Sequence, residues 1–451
     1  MKTTDWQKNK HRQLIGLILG FLVMSVLWAC GGSGGGSDET ISSSRQPQET
    51  AAWQQNTVRQ IDPGGLLSPN IQAQDLGDGR VYLAWFDDEN APPGHYNLQS
   101  LTWSMDGPLS AEDAAFTTIV TTDNCKSLSM ALDGDENPSV AYQGGEVKAC
   151  GGDEQADAMF SLREHDAWVE YTGAIGFVER NPVFRDGLAG GDMAMAIDAN
   201  GDIHLCYMFY YEGCDSMNYN YPDLHYVKKL GNAPGGDVEE ETIEGNIYFD
   251  GGGIQNNVGK GCAIILDRNG DPVVFYYAEL SDGTYGLRTS RRRNNAWEST
   301  WVETGIQVED ISCAKDREGN IGVAYYVLDY LNPVTSELSP ACLRYAVELL
   351  GNDETWRITM VDATTLCGRY PSLAYNGDGK PAIAYYTSES YSGHSLQNLK
   401  LAWKKGLVWE TEVVAATGDI GLYNTLWFQS DDSPVVCSYS RTDQTIYIFN
   451  K

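Results

Sequence analysis

Basic residues are scarce in this chain: 31 Lys and Arg stand against 62 Asp and Glu, for a formal net charge of −31 over 451 residues. A surface of that sign repels polyanions, so nucleic acid and anionic lipid headgroups are excluded as partners of the folded body. It suits a soluble body outside the cytoplasm, and it is compatible with cationic ligands or calcium. Signatures of chemistry are equally scarce. There is no CxxC pair, no cysteine–histidine cluster with zinc spacing and no HExxH. The histidines (His11, His95, His165, His204, His225 and His394) are scattered, and no GxSxG elbow is present. No cofactor and no metal is therefore expected. A Ser-His-Asp triad is not addressed by spacing, because its members need only meet in space. Long apolar runs are also missing, apart from Leu14 to Trp28, which is short for a membrane-spanning helix.

What is present is one phrase that returns seven times. Clear copies are Ile197-Asp198-Ala199-Asn200-Gly201-Asp202-Ile203 to Tyr207, Leu266-Asp267-Arg268-Asn269-Gly270-Asp271-Pro272 to Tyr277, and Tyr375-Asn376-Gly377-Asp378-Gly379-Lys380-Pro381 to Tyr386. Weaker copies centre on Asp78-Gly79, Asp133-Gly134, Asp316 to Asn320, and Asp431-Asp432. Each reads as a strand, a tight turn and a second strand. Asp, Asn and Gly tolerate the positive φ such turns need. The second strands are rich in Val, Ile, Ala and Tyr with no polar alternation, so both faces are expected to be buried. A third strand follows, as at Leu224 to Val227, Leu287 to Ser290, Leu343 to Ala346 and Leu399 to Trp403. A fourth opens on Trp, as in Trp297 to Val302, Trp356 to Val361 and Trp409 to Val414.

Long spans of short strands also suit stacked β-sandwiches. Strand bookkeeping favours a ring instead. The last copy has a third strand at Thr445 to Phe449 and no fourth, while Trp53 to Val58 is an orphan with the Trp-to-Val spacing of a fourth strand. The fold expected is all-β: a seven-bladed β-propeller, four antiparallel strands per blade, its last blade closed by the strand near Trp53 to Val58. The repeats resemble the broad class of bacterial repeat propellers, distantly including the Asp-box sialidases, although the Asp-box itself is missing. A sialidase needs separated arginines, whereas Arg291, Arg292 and Arg293 are adjacent and read as a solvated loop.

Residues 1–29 read as a targeting segment. Lys2, Lys8, Lys10 and Arg12 precede the apolar run, which ends in Leu27-Trp28-Ala29-Cys30 before a Gly/Ser stretch. This resembles the lipobox of bacterial lipoproteins. The resemblance implies cleavage before Cys30, lipid on Cys30, and a tether over residues 30–50 leading to a propeller over 51–451. Gly31 after the cysteine resembles lipoproteins sorted to the outer membrane of a Gram-negative host. Of ten cysteines, lipidation of Cys30 leaves an odd number. Export permits disulfides, and the local candidates are Cys206 with Cys214 and Cys125 with Cys150.

The Asp-x-Asn-Gly-Asp turns share the opening of a calcium loop but lack the bidentate Glu and helical setting, so they read as hairpin turns. Function is expected in the connections after the second strands, which gather with the inter-blade linkers on one propeller face. Candidates for ligand binding are Tyr210, Tyr211, Asp215, Tyr219 and Tyr221 in the third unit, Tyr330 in the fifth, Tyr391 in the sixth, and Asn256 and Asn257 between blades. Aromatics mixed with Asp, Asn and Ser suit glycan stacking or a protein contact. The expected role is non-catalytic binding of an envelope protein or glycan. The alternative is a polysaccharide hydrolase or lyase working with acidic residues on that face.

Overall fold

The computed structural model describes residues 52–61, 70–88, 90–92, 95–105, 116–122, 127–144, 157–164, 167–174, 177–180, 183–212, 222–231, 238–245, 256–328, 330–331, 338–339, 341–349, 355–364, 367–391 and 394–451. Residues 1–51, with Cys30, lie outside them. Among the described residues, seven antiparallel sheets are arranged as the blades of a propeller, and a small two-stranded sheet accompanies them. In chain order the first six blades run Gln72–Asp75 to Thr117–Thr122, Leu128–Leu132 to Ala167–Ala174, Val183–Ile197 to Val238–Glu244, Asn257–Leu266 to Ala296–Thr304, Val308–Lys315 to Trp356–Asp362, and Cys367–Tyr375 to Val408–Ala415. The seventh takes Ile420–Phe428, Pro434–Ser440 and Thr445–Asn450, and Gln54–Gln60 pairs with the last of these as its outermost strand. The expected closure by the N-terminal strand is what the sheet order shows.

Burial grades outward along each blade. Second strands such as Pro138–Gly144, Ile321–Val327 and Pro434–Ser440 are buried at every residue. This is why they lack polar alternation: a neighbouring blade covers each face. Outermost strands keep a single buried aliphatic residue near their ends, at Val58, Ile243, Val302, Val361 and Val414. The Trp that opens such a strand packs edge-on against the preceding blade. Trp297 meets Tyr226, Trp356 meets Phe275 and Trp409 meets Tyr345, with ring centroids 5.0, 5.5 and 5.3 Å apart. The Trp-to-Val signature is thus the rim of an inter-blade seam. Among the described residues, buried apolar side chains form seven clusters, one per seam, including the seam joining the seventh blade to the first.

The Asp-rich turns are hairpins held by their own carboxylates. Asp198 Oδ1 accepts the N–H groups of Asn200 and Asp202 at 2.8 and 2.9 Å, and Asp267 Oδ1 those of Asn269 and Asp271 at 2.8 and 3.0 Å. Gly201 and Gly270 close these turns at φ 81° and 84°, a region that favours glycine.

Three details depart from the sequence reading. The third blade has a fifth strand, Phe177–Arg180, paired with the long inner strand Val183–Ile197. The connections after some second strands continue as sheet. Pro381–Tyr391 pairs with His394–Lys405 as far as Tyr391 opposite His394, and Tyr330–Leu331 forms a small hairpin with Leu338–Ser339. Arg291, Arg292 and Arg293 are not a solvated loop but the end of the strand Tyr285–Arg293. Because adjacent strand residues face opposite ways, Arg291 pairs with Glu348 of the fifth blade at 2.7 Å, and Arg292 with Glu241 of the third at 2.5 Å. Each staples a seam.

A related pattern runs through the second strands, whose fifth residue is a fully buried tyrosine in five blades: Tyr142, Tyr207, Tyr276, Tyr325 and Tyr385. A buried phenol needs a hydrogen-bond partner. Tyr276, Tyr325 and Tyr385 donate to Glu244, Glu303 and Asp362, on the outer strand of the preceding blade, at 2.5, 2.5 and 2.7 Å. The same carboxylates take a cation from the third strand: Arg288, Arg344 and Lys400 respectively.

Candidate functional site

Second strands end, and inner strands begin, on one face of the ring. The inner strands are bulged where they begin there. Asp192, Gly261, Asp310, Tyr370 and Tyr423, in five successive blades, have positive φ between 41° and 66°. The pairing register slips at each of these sites. A bulge re-aims side chains, and a tyrosine held at φ 49° or 52° is a strained position. Gly368 permits the approach: a Cβ there would lie 2.7 Å from the Leu343 Cβ of the preceding blade. The bulges are tied blade to blade. The Gly261 N–H donates to Asp192 Oδ2 at 3.0 Å, the Tyr370 N–H to Asp310 Oδ2 at 3.1 Å, and Asn424 Nδ2 to the Tyr370 carbonyl at 3.0 Å.

Over the fifth to seventh blades these bulges gather aromatic and charged groups around a cavity of about 280 Å³. It is lined by Tyr326, Arg369, Tyr370, Tyr386, Ser388, Leu422 and Arg441. The Arg369 guanidinium lies 5.9 Å from the Tyr326 ring centroid and 5.5 Å from that of Tyr370. It also reaches Glu309 Oε2 at 3.3 Å and Asp310 Oδ2 at 3.4 Å, while Lys260 of the fourth blade holds Glu309 Oε1 at 2.9 Å. Tyr370 packs on Tyr423 and Tyr386, with centroids 4.9 and 6.3 Å apart. The Tyr386 hydroxyl donates to Asp419 Oδ1 at 3.0 Å, and Arg441 Nη1 donates to Asp419 Oδ2 at 3.1 Å.

Electrostatics follow from burial. Desolvation pushes the Asp310 carboxyl above its ordinary value, against the pull of Arg369 and the Tyr370 N–H. Burial pushes the Tyr386 hydroxyl up to about 12, with Asp419 adding to the effect. The Tyr423 hydroxyl is raised too, by burial and then by Tyr370. The site therefore offers neutral phenols, two guanidinium groups, and a carboxyl biased toward holding its proton. Such groups bind hydroxyl-rich or anionic ligands and stack their apolar faces.

A larger cleft of about 480 Å³ opens at the other end of the blades, between the fourth and fifth. Asp267, Arg268, Arg291, Arg292, Arg293 and Glu348 are among its lining residues. Arg291 and Arg292 there are only 12% and 20% exposed, whereas Arg369 and Arg441, though also paired with carboxylates, are 43% and 55% exposed, so the smaller cavity is the better candidate.

Tyr210 and Tyr211 fall at the end of the second strand Ile203–Glu212, paired with Leu188 and Gly187. Tyr330 and Tyr391 lie on the hairpins that prolong their blades, and Asn257 opens an inner strand opposite Glu279. All five positions are at the bulged face. Asn256 is engaged locally, its Oδ1 accepting the Ser281 N–H at 3.0 Å. Asp215, Tyr219 and Tyr221 lie outside the described residues, as do Cys125, Cys150 and Cys214. The expected pairing of Cys206 with Cys214 therefore falls outside the described residues; among these, Cys206 Sγ lies 3.3 Å from Cys262 Sγ. The sequence reading missed Arg369, Tyr370, Tyr386, Asp419, Tyr423 and Arg441. A signal for part of the set was available: Gly368-Arg369-Tyr370 and Gly421-Leu422-Tyr423 repeat a Gly-x-Tyr spacing at the start of inner strands.

No family model and no curated protein sequence matches this chain. Solved structures with a similar course are distant. A protein of unknown function from Dyadobacter fermentans DSM 18053 is 14% identical, with 77% of this chain and 98% of that chain covered and a TM-score of 0.45. The Hadza microbial sialidase Hz136 is 11% identical, covering 78% and 72%, with a TM-score of 0.45. A polysaccharide lyase of family PL25, an ulvan lyase, is 12% identical, covering 87% and 93%, with a TM-score of 0.46.

Proposed function

We propose that this protein is a lipoprotein of the bacterial cell envelope, anchored through lipid on Cys30, whose propeller captures a glycan without turning it over. In a Gram-negative host the anchor places it in the outer membrane. The observation that carries the reading is the cavity where Tyr326, Tyr370 and Tyr386 stand around Arg369 and Arg441. Rings present faces for sugar C–H groups, and guanidinium forks hold hydroxyls or a carboxylate. A volume of about 280 Å³ lies at the small end of the range for ligand sites, and suits one or two sugar rings of a longer chain. Tyr210, Tyr211, Tyr330, Tyr391, Asn256 and Asn257 extend the contact across the same face, and Asp215, Tyr219 and Tyr221, outside the described residues, are further candidates by sequence. A protein ligand would use that wider surface, and nucleic acid is disfavoured by the net charge of −31.

A second reading is a polysaccharide hydrolase or lyase. It is favoured by Asp310, whose carboxyl burial pushes upward next to Glu309, as a proton donor requires. The test is binding of the full chain in detergent to envelope and acidic polysaccharides, with product analysis after long incubation. Binding without products, lost about tenfold or more in Arg369→Ala and Tyr370→Ala, is the expected outcome. Product formation abolished by Asp310→Asn would establish the second reading. Binding that both alanine variants retain would remove this cavity from the account.

A further inference from the structure

Cys206 belongs to the second strand of the third blade and Cys262 to the inner strand of the fourth. Both are buried in the apolar cluster that fills the seam between those blades. Their Sγ atoms are 3.3 Å apart, and the Cys262 thiol also donates to the Asp192 carbonyl. A disulfide needs about 2 Å between sulfurs, a closure within reach of small side-chain rotations. We propose that Cys206 and Cys262 form an inter-blade disulfide that locks the third blade to the fourth.

The chemistry is thiol–disulfide exchange with a disulfide oxidant, either a small-molecule disulfide or the active-site disulfide of an oxidoreductase. One thiolate of the pair attacks a sulfur of the oxidant, forming a mixed disulfide and releasing one thiol. The second thiolate attacks that mixed disulfide, closing the Cys206–Cys262 bond and releasing the second thiol. Two protein thiols are oxidised, one oxidant disulfide is reduced to two thiols, and the protons pass to the released thiolates. Full burial of Cys206 places the reaction during folding, before the seam closes, and shields the bond from reductant afterwards. The bond encloses the outer strands of the third blade and the linker that follows them, so it tethers the part of the ring that precedes the fourth blade. Export, the compartment expected from the targeting segment, is where such bonds persist. The proposal does not depend on what the propeller binds.

The test is non-reducing peptide mapping of the full chain refolded with oxidised glutathione, free thiols being alkylated after denaturation. The expected result is a peptide joining Cys206 to Cys262, a mass about 2 Da below the reduced chain from that bond, and a rise in Tm reversed by reductant only after unfolding. Cys206→Ala should remove the linked peptide and the reductant-sensitive rise. Folding of that variant is expected, because Ala141, Ala324 and Ala384 occupy the same fourth position of other second strands. Cys437→Ala, in the same repeat position of the seventh blade, should leave both readouts intact. Recovery of Cys206 and Cys262 alkylated after oxidative refolding, or of Cys206 joined to Cys214 or Cys313, would overturn the proposal.

Discussion

In the second and third blades, Tyr142 and Tyr207 donate to Glu170 and Glu240, acids on the outer strands of their own sheets. In the fourth, fifth and sixth, the tyrosine at the same repeat position donates across the seam to the blade before it. The residue opposite the tyrosine on the third strand differs between the two groups. It is Met159 or His225 in the first group and Arg288, Arg344 or Lys400 in the second. A cation beside the phenol gives a neighbouring blade's carboxylate a second partner, so the acid crosses the seam and both charges are neutralised. Where no arginine or lysine stands there the phenol takes an acid from its own sheet, and in the third blade His225 Nδ1 also meets that acid, Glu240, at 2.8 Å. The lesson is that a repeat fixes where a side chain sits, while its cross-strand neighbour decides which blade it binds. The acids also differ in exposure. Glu240 is 39% exposed, against 16%, 17% and 7% for Glu244, Glu303 and Asp362.

Removing a seam acid should have the largest effect. Glu303→Ala leaves Arg344 and Tyr325 without their shared acceptor and should cost about 3 kcal/mol, read by urea denaturation. Glu170→Ala, at an exposed acid, should cost about 1 kcal/mol or less. Equal losses would erase the distinction between the two groups.

Proton linkage should separate the seam from the bulged face by sign. Burial alone would raise the Asp362 carboxyl, but the Thr364 N–H, the hydroxyls of Tyr385 and Thr364, and Lys400 together hold it below its ordinary value. Its stabilisation is present above the usual carboxylate value of about 4 and is lost as pH falls through the lower folded-state value. Asp310 has the opposite shift. The stability it allows is full below about pH 4 and is lost as pH rises through its raised value. Urea midpoints from pH 2 to pH 7 should therefore show Asp362→Asn flattening the acid limb and Asp310→Asn flattening the loss on raising pH from about 4. The same limb flattening in both variants would contradict the assignments.

The smallest effect is expected from Arg288→Lys. Charge opposite Glu244 is kept, and Lys400 already serves that role in the sixth blade. What is lost is the planar guanidinium 4.6 Å from the Trp301 ring centroid. Thermal melts should register about 0.5 kcal/mol, and a loss as large as that of Glu303→Ala would mean that the cation, not the acid, organises the seam.

The fold was legible because its signals are local and repeated. Hairpin turns at Asp198 and Asp267, fully apolar second strands and the Trp-to-Val rim each recur, and the orphan near Trp53 matches the rim phrase. Less was legible at the candidate site. Arg369, Tyr386, Asp310 and Arg441 are distant in sequence and meet only because three blades converge on the axis. Tyr370 and Tyr423 are turned toward the face by bulges, which strand alternation does not encode. The three adjacent arginines misled for a related reason. Their run of charge reads as solvent-facing, while Glu348 and Glu241, the acids that engage Arg291 and Arg292, come from two other blades.

The most direct test of the two-group account is a Tyr-to-Phe series at Tyr142, Tyr207, Tyr276, Tyr325 and Tyr385, measured by urea denaturation. Each substitution removes one hydroxyl at a common repeat position. Losses of about 1.5–3 kcal/mol are expected at Tyr276, Tyr325 and Tyr385, and about 1 kcal/mol or less at Tyr142 and Tyr207. Five equal losses, or larger ones at Tyr142 and Tyr207, would contradict it.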